Sequence, residues 1–269
     1  MARVFYHIGL HKTATTFLQN RYFPHLPVKF MKGSASYTDV LRGLEGDEVV
    51  LFSDENMSGR LFHGNKLADF KSIVSSIARI HPDAGVIIGF RKHADFVLSS
   101  YKQYLHEGGA ISQREFFDVD GGGLLRHEDI CFKSYISFLS ERFSNLFVYT
   151  IDDVKSIDKF NERFSAFIGV EKNDIELKKG EVNRGVKTHV QVKTLFALNT
   201  INAWIRRNFG VNLLYSKLLR YMRITPRQVC QKYLPDIGRD YELDEDIKKF
   251  ISREFEDDWN FVIDMKMKV

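Results

Sequence analysis

The feature that most constrains the fold is an alternation of short apolar runs with longer segments of helical periodicity over the first two thirds of the chain. Runs such as EVVLF and GVIIGF are short and almost wholly apolar, which is typical of strands covered on both faces. Strands that alternate with helices indicate βαβ units. We therefore predict an α/β fold in which a parallel β-sheet is flanked by helices.

The predicted elements follow this alternation along the chain. Strands are predicted at Arg3–Ile8, Glu48–Phe52, Gly85–Phe90 and Asn145–Thr150. Helices are predicted from about Thr15 and at Leu67–Ile80, Asp95–Leu105, Ile130–Phe143 and Lys159–Ile168, and the chain after about Gly185 is predicted to be mostly helical. Because no clear linker divides the chain, we predict one domain over 1–269, with an α/β core at 1–185 and a helical extension at 186–269.

The composition excludes several classes of protein. The chain has 269 residues, of which 44% are apolar, so it has enough material for a core and is not mainly disordered. No apolar stretch reaches 18 residues, and the N-terminus lacks the long apolar segment of a secretory signal. The two cysteines, Cys131 and Cys230, lie far apart without metal-ligand spacing. We therefore expect a reduced, cytoplasmic compartment.

The first strand leads directly into a glycine turn and then into Lys12 and hydroxyl residues that begin a helix, in the run HIGLHKTATT. Helix N-termini present unpaired N–H groups and a partial positive charge, so they bind phosphate or sulfate oxygens. Lys12 would add a full charge, and Thr13, Thr15 and Thr16 would add hydroxyl donors. The run is not a Walker A loop, because only Gly9 precedes the lysine and it does so by three residues.

The run GLHKTATTFLQ resembles the 5′-phosphosulfate loop of sulfotransferases that use 3′-phosphoadenosine 5′-phosphosulfate (PAPS). The resemblance implies that the loop residues His11, Lys12, Thr13, Ala14, Thr15 and Thr16 bind this co-substrate. Ala14 stands where the family usually has glycine. The loop tolerates an alanine at this position if the backbone there is helical rather than at positive φ.

A second stretch, RKHADFVLSSY, resembles the 3′-phosphate site of the same family. Arg91 follows the predicted strand GVIIGF, and Ser99 stands eight residues later on the next predicted helix. An arginine forms bidentate, charge-assisted hydrogen bonds to phosphate, and a serine two helical turns away can reach the same group. The two motifs occur in the order that the family shows.

Weaker matches extend the resemblance over roughly residues 3–185. The stretch FVYTIDDVK and the later FSAFIGV are similar to a strand and a helix end of the family, and Arg184 lies where many members have a loop that closes over the nucleotide. The resemblance thus implies a P-loop-NTPase-like sulfotransferase architecture with a nucleotide-binding core at 1–185. No motif covers the last third of the chain.

Sulfuryl transfer needs a base for the proton of the acceptor hydroxyl and a cation at the departing phosphate. Lys12 is the candidate for the cation. The second predicted strand is followed by Ser53-Asp54-Glu55-Asn56, and the resemblance to carbohydrate sulfotransferases favours Glu55 as the base. Asp54, His11 and His63 remain alternatives. We predict no metal, because His7 and His11 straddle a junction between strand and turn instead of sharing a helix face.

The net charge of +4 hides a basic segment. Between residues 183 and 235 there are ten Lys and Arg and no Asp or Glu, so the rest of the chain has a net charge of −6. Either the segment is a solvated helical face, or it contacts an anionic glycan or an anionic membrane at its surface. No nucleic-acid module accompanies it, so we predict no nucleic-acid partner. An apolar stripe in this segment is expected to face the core, and its members are Leu195, Leu198, Ile201, Trp204 and Ile205.

These observations favour a PAPS-dependent sulfotransferase that acts on a hydroxyl of a carbohydrate or glycoconjugate, located in the cytoplasm or peripherally on a membrane. Two other functions compete with it. A P-loop-type nucleotide-dependent kinase would use VVLFSDE as a strand with a Mg²⁺-binding acid, but it lacks the Walker A glycines. A non-catalytic module that binds anions or membranes would explain only residues 183–235.

Overall fold

The protein is described by a computed structural model over residues 2–33, 48–172, 185–222 and 224–268. Within these ranges one sheet holds five strands, and every neighbouring pair is parallel. The strands are β1 (Arg3–Ile8), β2 (Lys29–Lys32), β3 (Val49–Asp54), β4 (Gly85–Phe90) and β5 (Asn145–Thr150). They lie in the order β2-β3-β1-β4-β5. The predicted α/β fold with a parallel sheet flanked by helices is confirmed.

The helices fill the connections between strands and most of the C-terminal part. They are α1 (Thr15–Phe17), α2 (Lys66–Ile80), α3 (His93–His106), α4 (Gln113–Phe116), α5 (His127–Ile130), α6 (Phe132–Ser140), α7 (Ile151–Lys155), α8 (Ile157–Ile168), α9 (His189–Phe209), α10 (Lys217–Tyr221), α11 (Pro226–Tyr233), α12 (Glu245–Glu254) and α13 (Glu256–Met267). A π-helical turn (Leu18–Tyr22) and a 3₁₀ turn (Phe23–His25) continue α1, and a second 3₁₀ turn (Glu55–Ser58) follows β3. All six residues of β4 are buried, as expected of a strand covered on both faces.

The chain divides into two compact units. The first consists of residues 1–93, 127–178 and 253–269 and contains the sheet, whereas the second consists of residues 94–126 and 179–252. No helix in the described ranges is long and apolar enough to cross a membrane.

An aromatic cluster packs the segment after β1 onto the sheet in the first unit. The ring of Phe164 on α8 lies edge-on to Phe147 of β5 and to Tyr22, with centroid distances of 5.5 and 5.6 Å. Phe147 and Phe164 are fully buried. Side chains of this size contribute much of the burial energy of a core. The cluster therefore fixes the helical segment that begins beside the loop after β1.

The strand predictions for β1, β4 and β5 are confirmed residue by residue. β3 runs two residues further than predicted, because Ser53 and Asp54 pair in register with His7 and Ile8 of β1. β2 was not predicted. Its sequence KFMK has a lysine at each end and lies at the sheet edge, where charged residues are favoured and the apolar signal of a buried strand is missing.

The helix predicted at Ile130–Phe143 is present as α6, but it begins two residues later than predicted, after a break at Cys131 that separates it from α5, and it ends at Ser140. The carboxylate of Asp258, on α13, accepts hydrogen bonds from the backbone N–H groups of Phe132 and Lys133 at 2.9 Å each. The same carboxylate accepts a hydrogen bond from His93 Nε2 at 2.9 Å. A cap whose acceptor is a carboxylate so distant in sequence fixes the start of α6 at a position that local pattern alone does not predict.

The stripe predicted to face the core in the C-terminal part is only partly buried. Leu195 is fully buried, but Ile201 and Trp204 are exposed over 52% and 59% of their surface. The helix α9 instead buries Asn199 and Asn202 in its C-terminal half. The side of α9 that faces the protein is therefore polar at this end, which reverses the usual arrangement of a surface helix.

Candidate active site

Three neighbouring strands end close together at one edge of the sheet. Ile8, the last residue of β1, is in register with Asp54 of β3 and with Ile88 of β4. Gly9 and Glu55 therefore leave the sheet side by side, and β4 continues for two residues before Arg91. Ligands of open parallel sheets bind at this carboxyl edge.

The loop after β1 has a backbone of alternating handedness. Lys12 and Ala14 have φ angles of 67° and 68°, while Thr13 between them has a negative φ. Residues of alternating handedness turn successive backbone N–H groups toward one side and form an anion-binding concavity. Because the first backbone hydrogen bond of the following helix runs from Leu18 N–H to the Ala14 carbonyl, the N–H groups before Leu18 have no acceptor within that helix.

The condition under which alanine is tolerated at this position is not met, because the φ and ψ angles of Ala14 are 68° and 14°, in the left-handed region. This conformation is strained for alanine and free of strain for glycine. The loop thus keeps the backbone of a glycine-containing loop while it contains a β-carbon. Holding that backbone requires the rest of the loop to be tightly fixed.

The loop is fixed from inside by two buried threonines. Thr13 and Thr15 both donate their hydroxyl hydrogen to the carbonyl oxygen of Leu10, at 2.5 and 3.5 Å. Thr16, the third predicted hydroxyl donor, is exposed. A β-carbon at Gly9 would lie 2.3 Å from the Thr15 hydroxyl oxygen, so glycine is required at that position.

A buried network of polar side chains lies directly beneath this loop. His7 Nδ1 lies 2.6 Å from Ser53 Oγ, and its Nε2 lies 2.8 Å from the Tyr149 hydroxyl. Gln19 Nε2 donates to Ser53 Oγ at 2.9 Å, and the Tyr149 hydroxyl donates to the Thr13 carbonyl at 3.4 Å. The network links β1, β3 and β5 to the backbone of the loop.

The network has one arrangement of hydrogens that gives every donor an acceptor. Burial lowers the pKa of His7 to about 3, so the ring is neutral at pH 7 and carries one N–H. If Ser53 donates to Nδ1, then Nε2–H donates to Tyr149, which donates to Thr13. A fully satisfied buried network holds its members rigidly, so the loop backbone has a fixed support.

Glu55, the predicted base, begins the 3₁₀ turn after β3. The turn is closed by Asp54, whose carboxylate accepts the Asn56 N–H at 2.9 Å, and by Ser58, whose hydroxyl donates to the Glu55 carbonyl at 2.9 Å. Burial raises the pKa of Tyr149, and the nearby Glu55 carboxylate raises it further. The Glu55 side chain is therefore close to the residue that supports the loop, and half-buried.

The turn after β3 also contacts the loop through His11, whose Nδ1 lies 3.3 Å from Ser58 Oγ. Burial lowers the pKa of His11 to about 3, and the charges of Lys66 and Lys12 lower it further. Because the Ser58 hydroxyl donates to Glu55, the neutral His11 ring donates from Nδ1 and keeps its lone pair on Nε2. His11 thus remains an alternative base by position.

The remaining alternatives for the base occupy different surroundings. Asp54 uses its carboxylate to cap the 3₁₀ turn, which engages one of its oxygens. His63 is exposed and lies in the connection between that turn and α2. Two of the four candidate bases therefore lie at the loop: Glu55, which follows β3, and His11, which follows β1.

A lysine that the sequence analysis did not single out lies behind the same turn. Lys66 is fully buried, and its ammonium donates to the Ser58 carbonyl at 2.9 Å and to the Tyr135 hydroxyl at 3.1 Å. Burial lowers its pKa to about 7, and the Asp129 carboxylate partly opposes that decrease. Gly59 gives the chain room, since a β-carbon there would meet the Lys66 carbonyl oxygen at 2.1 Å. Lys66 holds the turn in place from its inner side.

Of the predicted 3′-phosphate residues, Arg91 lies at the end of a strand of the sheet. It follows β4 directly, in the first unit, and is partly buried. Ser99 is a partly buried residue of α3 in the second unit, and Arg184 lies outside the described residues. That these residues bind one phosphate stays a prediction.

Two supporting groups carried no readable signal in the sequence. His7 is a single polar residue within the strand β1 and does not stand out in the sequence. Its partners Ser53 and Tyr149 come from strands that lie far apart in the chain. Lys66 is a single lysine directly before the helix that was predicted at Leu67–Ile80, and a lysine in such a position is ordinarily exposed. The nearest feature that the sequence displays is Gly59, and the structure shows that this glycine has a φ of 84°, a backbone conformation that favours glycine.

A cavity of about 1040 Å³ lies in the second unit. One wall is the first turns of α9, with His189, Lys193 and Phe196, and another is the segment from Arg239 to Glu245. Gln113 also lines the cavity and binds the second wall, donating to the Glu242 carbonyl at 2.8 Å and accepting the Asp244 N–H at 2.9 Å. None of the described residues that were predicted for phosphate binding or catalysis is among those that line it. In the described ranges, no group of three or more His, Cys, Asp and Glu side chains is placed to hold a metal ion.

Comparisons with known proteins find a likeness in structure but none in sequence. No protein-family model matches this chain, and no curated protein matches its sequence. Among solved structures, the chain is similar to a sulfotransferase from Alicyclobacillus acidocaldarius, with 13% sequence identity, a TM-score of 0.47, and coverage of 77% of this chain and 96% of that chain. Chains so distant can differ in activity, so a function for this protein has to be argued from the residues of its site.

Proposed function

We propose that this protein is a sulfotransferase that moves the sulfuryl group of PAPS to a hydroxyl of a carbohydrate or glycoconjugate. The observation that carries the proposal is the loop Gly9–Ala14, whose alternating backbone and Lys12 lie beside Glu55 at the carboxyl edge of β1 and β3. A cation, a concavity of N–H groups and a carboxylate are the three components that transfer of an anionic group to a hydroxyl requires.

The loop supplies the binding of the phosphosulfate. Its N–H groups and the N-terminal end of α1 favour a multiply charged anion, and the buried network under Thr13 keeps them aimed in advance. Thr13 and Thr15 donate their hydroxyls to Leu10, so their backbone N–H groups are the parts available to the anion. His11, Lys12, Ala14 and Thr16 complete the set that the resemblance assigns to the co-substrate.

In the proposed reaction, Lys12 neutralises the charge that grows on the phosphate as it leaves. Glu55 accepts the proton of the acceptor hydroxyl while that oxygen forms its bond to sulfur and the bond from sulfur to the phosphate oxygen breaks. The products are the sulfated acceptor and 3′,5′-ADP. Because a base works only within hydrogen-bond reach of the proton it takes, the pairing of β1 with β3 is what qualifies Glu55.

Arg91 is proposed to bind the 3′-phosphate, as its position after β4 and its bidentate guanidinium favour. Ser99 and Arg184 keep the roles that the resemblance implies. The carbohydrate acceptor rests on the choice of Glu55 as base, and a cytoplasmic location rests on the two unpaired cysteines.

A thermal-shift titration tests the proposal without knowledge of the acceptor. The purified full chain is titrated with 3′,5′-ADP in EDTA, and in parallel with ATP and Mg²⁺ and with 5′-AMP. A ligand present at 100 times its Kd stabilises a native protein by about 2.7 kcal/mol, which raises the Tm by several degrees. We expect stabilisation by 3′,5′-ADP without metal and little by the other two nucleotides.

Two variants sharpen the titration. Arg91→Ala should weaken 3′,5′-ADP by about 30-fold or more, since a lost charge-assisted pair is worth about 2–3 kcal/mol, whereas the exposed Arg79→Ala should leave the affinity unchanged. Stabilisation by Mg-ATP alone would contradict the proposal and favour a kinase. Labelled PAPS and a panel of neutral polysaccharides then test transfer itself, and sulfation of proteins or phenols but of no polysaccharide would overturn the acceptor class.

A further inference from the structure

The second unit displays an unusual concentration of apolar side chains on its surface. Eight of the thirteen large apolar side chains that are exposed in the described ranges fall between residues 201 and 224. They are Ile201, Trp204, Phe209, Val211, Leu213, Tyr221, Met222 and Ile224, here named the apolar surface. Soluble proteins seldom leave so many large apolar groups in water unless the surface has a partner.

The apolar surface is held in place by polar groups that are buried on the opposite side of α9. Asn199 donates to the carbonyls of Leu105 and Gly109 at 2.8 Å each, which anchors the helix within the second unit. Asn202 donates to Asn212 Oδ1 and accepts the Leu214 N–H, both at 2.8 Å. The buried amides therefore fold the segment after α9 back against the helix, and the exposure of its apolar residues follows from specific bonds.

Two rings at the end of α9 belong to the apolar surface and contact each other. Trp204 and Phe209 lie edge to face with centroids 5.8 Å apart, and they are exposed over 59% and 67% of their surface. The helix ends at Gly210, whose φ of 69° turns the chain so that Val211 and Leu213 follow at once. Trp and Phe beside aliphatic residues are the composition of a helix end that inserts into the headgroup region of a bilayer.

The charge of the same segment selects the partner. Residues 183–235 contain ten Lys and Arg and no Asp or Glu. Arg206, Arg207 and Lys217 are exposed among the apolar residues, and none of the three forms an ion pair with another described residue. Basic groups next to inserted apolar groups match the phosphates of an anionic leaflet.

Other occupants fit these observations less well. Two copies of the chain joined at this surface would bring like charges together, which is unfavourable. Nucleic acid would bind the basic residues through its phosphates, but its charged backbone would not cover exposed Ile, Val, Leu and Met side chains. We propose that the apolar surface and its basic residues dock this protein peripherally onto an anionic lipid membrane. This inference is independent of the proposed sulfotransferase function, because every residue it uses belongs to the second unit.

Co-sedimentation of the full chain with large vesicles tests the docking. Vesicles of pure phosphatidylcholine are compared with vesicles that contain about a third phosphatidylglycerol, at low and high salt. We expect binding to the anionic vesicles only, weakened by salt. Since each basic residue near such a surface is worth about a fivefold change in partitioning, Arg206→Glu with Arg207→Glu should reduce binding at least 25-fold.

A matched pair of substitutions separates this site from general charge effects. Arg79→Glu with Lys159→Glu makes the same change in net charge at exposed helical residues of the first unit. This pair should leave most of the binding to anionic vesicles intact. Trp204→Ser with Phe209→Ser should abolish binding, whereas Ile80→Ser, at another exposed apolar residue, should not. Melting curves of all variants exclude loss of folding as the cause.

The depth of insertion is read from Trp204 directly. Trp259→Phe leaves it as the only tryptophan of the chain, so a blue shift of emission with anionic vesicles and quenching by brominated lipid report contact of this ring with the bilayer. Equal binding to neutral vesicles, binding without any change in Trp204 emission, or no binding at all would overturn the proposal. A concentration-dependent dimer that Trp204→Ser with Phe209→Ser abolishes would overturn it in favour of self-association.

Discussion

The edge of the sheet and the end of α9 break the rule that apolar groups lie inside and polar groups outside, and they do so in opposite ways. Beneath the loop after β1, the chain buries His7 and Ser53, and every polar atom of their network has a partner. At the end of α9, it buries Asn199 and Asn202 and leaves Trp204 in solvent. The first region is complete within the chain, whereas the second leaves its apolar groups exposed, and docking on a membrane is proposed to cover them.

This difference separates two kinds of function. A site for chemistry has to be rigid before its substrate arrives, so its polar groups are fixed by other groups of the same chain. A docking surface gains its energy when water leaves apolar groups on contact, so those groups stay exposed until then. Substitutions in the two regions should therefore affect different measurements, one the reaction and the other the attachment.

The largest effect is expected for Lys12→Ala. Removal of a cation that acts on the departing phosphate should lower kcat about 1000-fold, because the lost interaction is strongest in the transition state. Sulfate transfer from labelled PAPS measures it, with the exposed Lys159→Ala as control. Vesicle binding should be unchanged. A fall in vesicle binding together with activity would show that the two regions do not act separately.

Glu55→Gln should lower kcat about 100-fold and leave the affinity for 3′,5′-ADP as it is, since amide and carboxylate have the same shape but only the carboxylate accepts the proton. Turnover and a 3′,5′-ADP titration on the same preparation measure both quantities. His11→Asn serves as the matched test of the other residue placed at the loop. Full activity of Glu55→Gln with loss in His11→Asn would assign the base to His11 instead.

The sequence predicted the parts of this molecule that depend on local pattern. The bounds of the strands β1, β4 and β5 were predicted to the residue. The position of Glu55 beside the loop followed from the assumption that the strand before the loop and the strand before Glu55 are neighbours. What failed depends on distant partners. The break before α6 needs Asp258 on α13, and burial of Lys66 needs Tyr135 and the turn after β3.

Ala14 and Trp204 both depart from the commonest state of their residue type. That state is a helical backbone for alanine and burial for an aromatic on a helical stripe, and burial is what was predicted for Trp204. The structure shows the rarer state at both positions, a left-handed backbone and an exposed ring. Both exceptions lie in regions for which a function is proposed, which is where local preference is expected to yield to another requirement.

Lys66→Met should remove a pH dependence of stability that the wild type shows above neutrality. The folded chain gives up this proton near pH 7 because of burial, while the unfolded chain keeps it up to its ordinary pKa of 10.5. The unfolded state therefore binds more protons in this window, and the free energy of unfolding should rise with pH by up to about 1.4 kcal/mol per unit.

Denaturant unfolding at intervals from pH 7 to 10 measures this slope, and Lys71→Met, an exposed lysine of the same helix, is the control. Only Lys66→Met should flatten the curve. If both variants keep the wild-type slope, the ammonium is not held in a dry environment and the turn after β3 is more open than the loop beside it.

The smallest effect, and the one that sharpens the comparison most, is expected for Ala14→Gly. The left-handed backbone at Ala14 strains an alanine but not a glycine, so this substitution should raise the free energy of unfolding by up to about 1 kcal/mol. Ala166→Gly, in an exposed position of α8, should lower it by a similar amount, because glycine is unfavourable in a regular helix. Opposite signs for the same chemical change, measured by denaturant unfolding, show that the loop backbone is imposed by its buried support. An equal decrease in the free energy of unfolding of both variants would mean that alanine is not strained by the left-handed backbone at this position. The rigidity of the loop would then have to come from the bound anion.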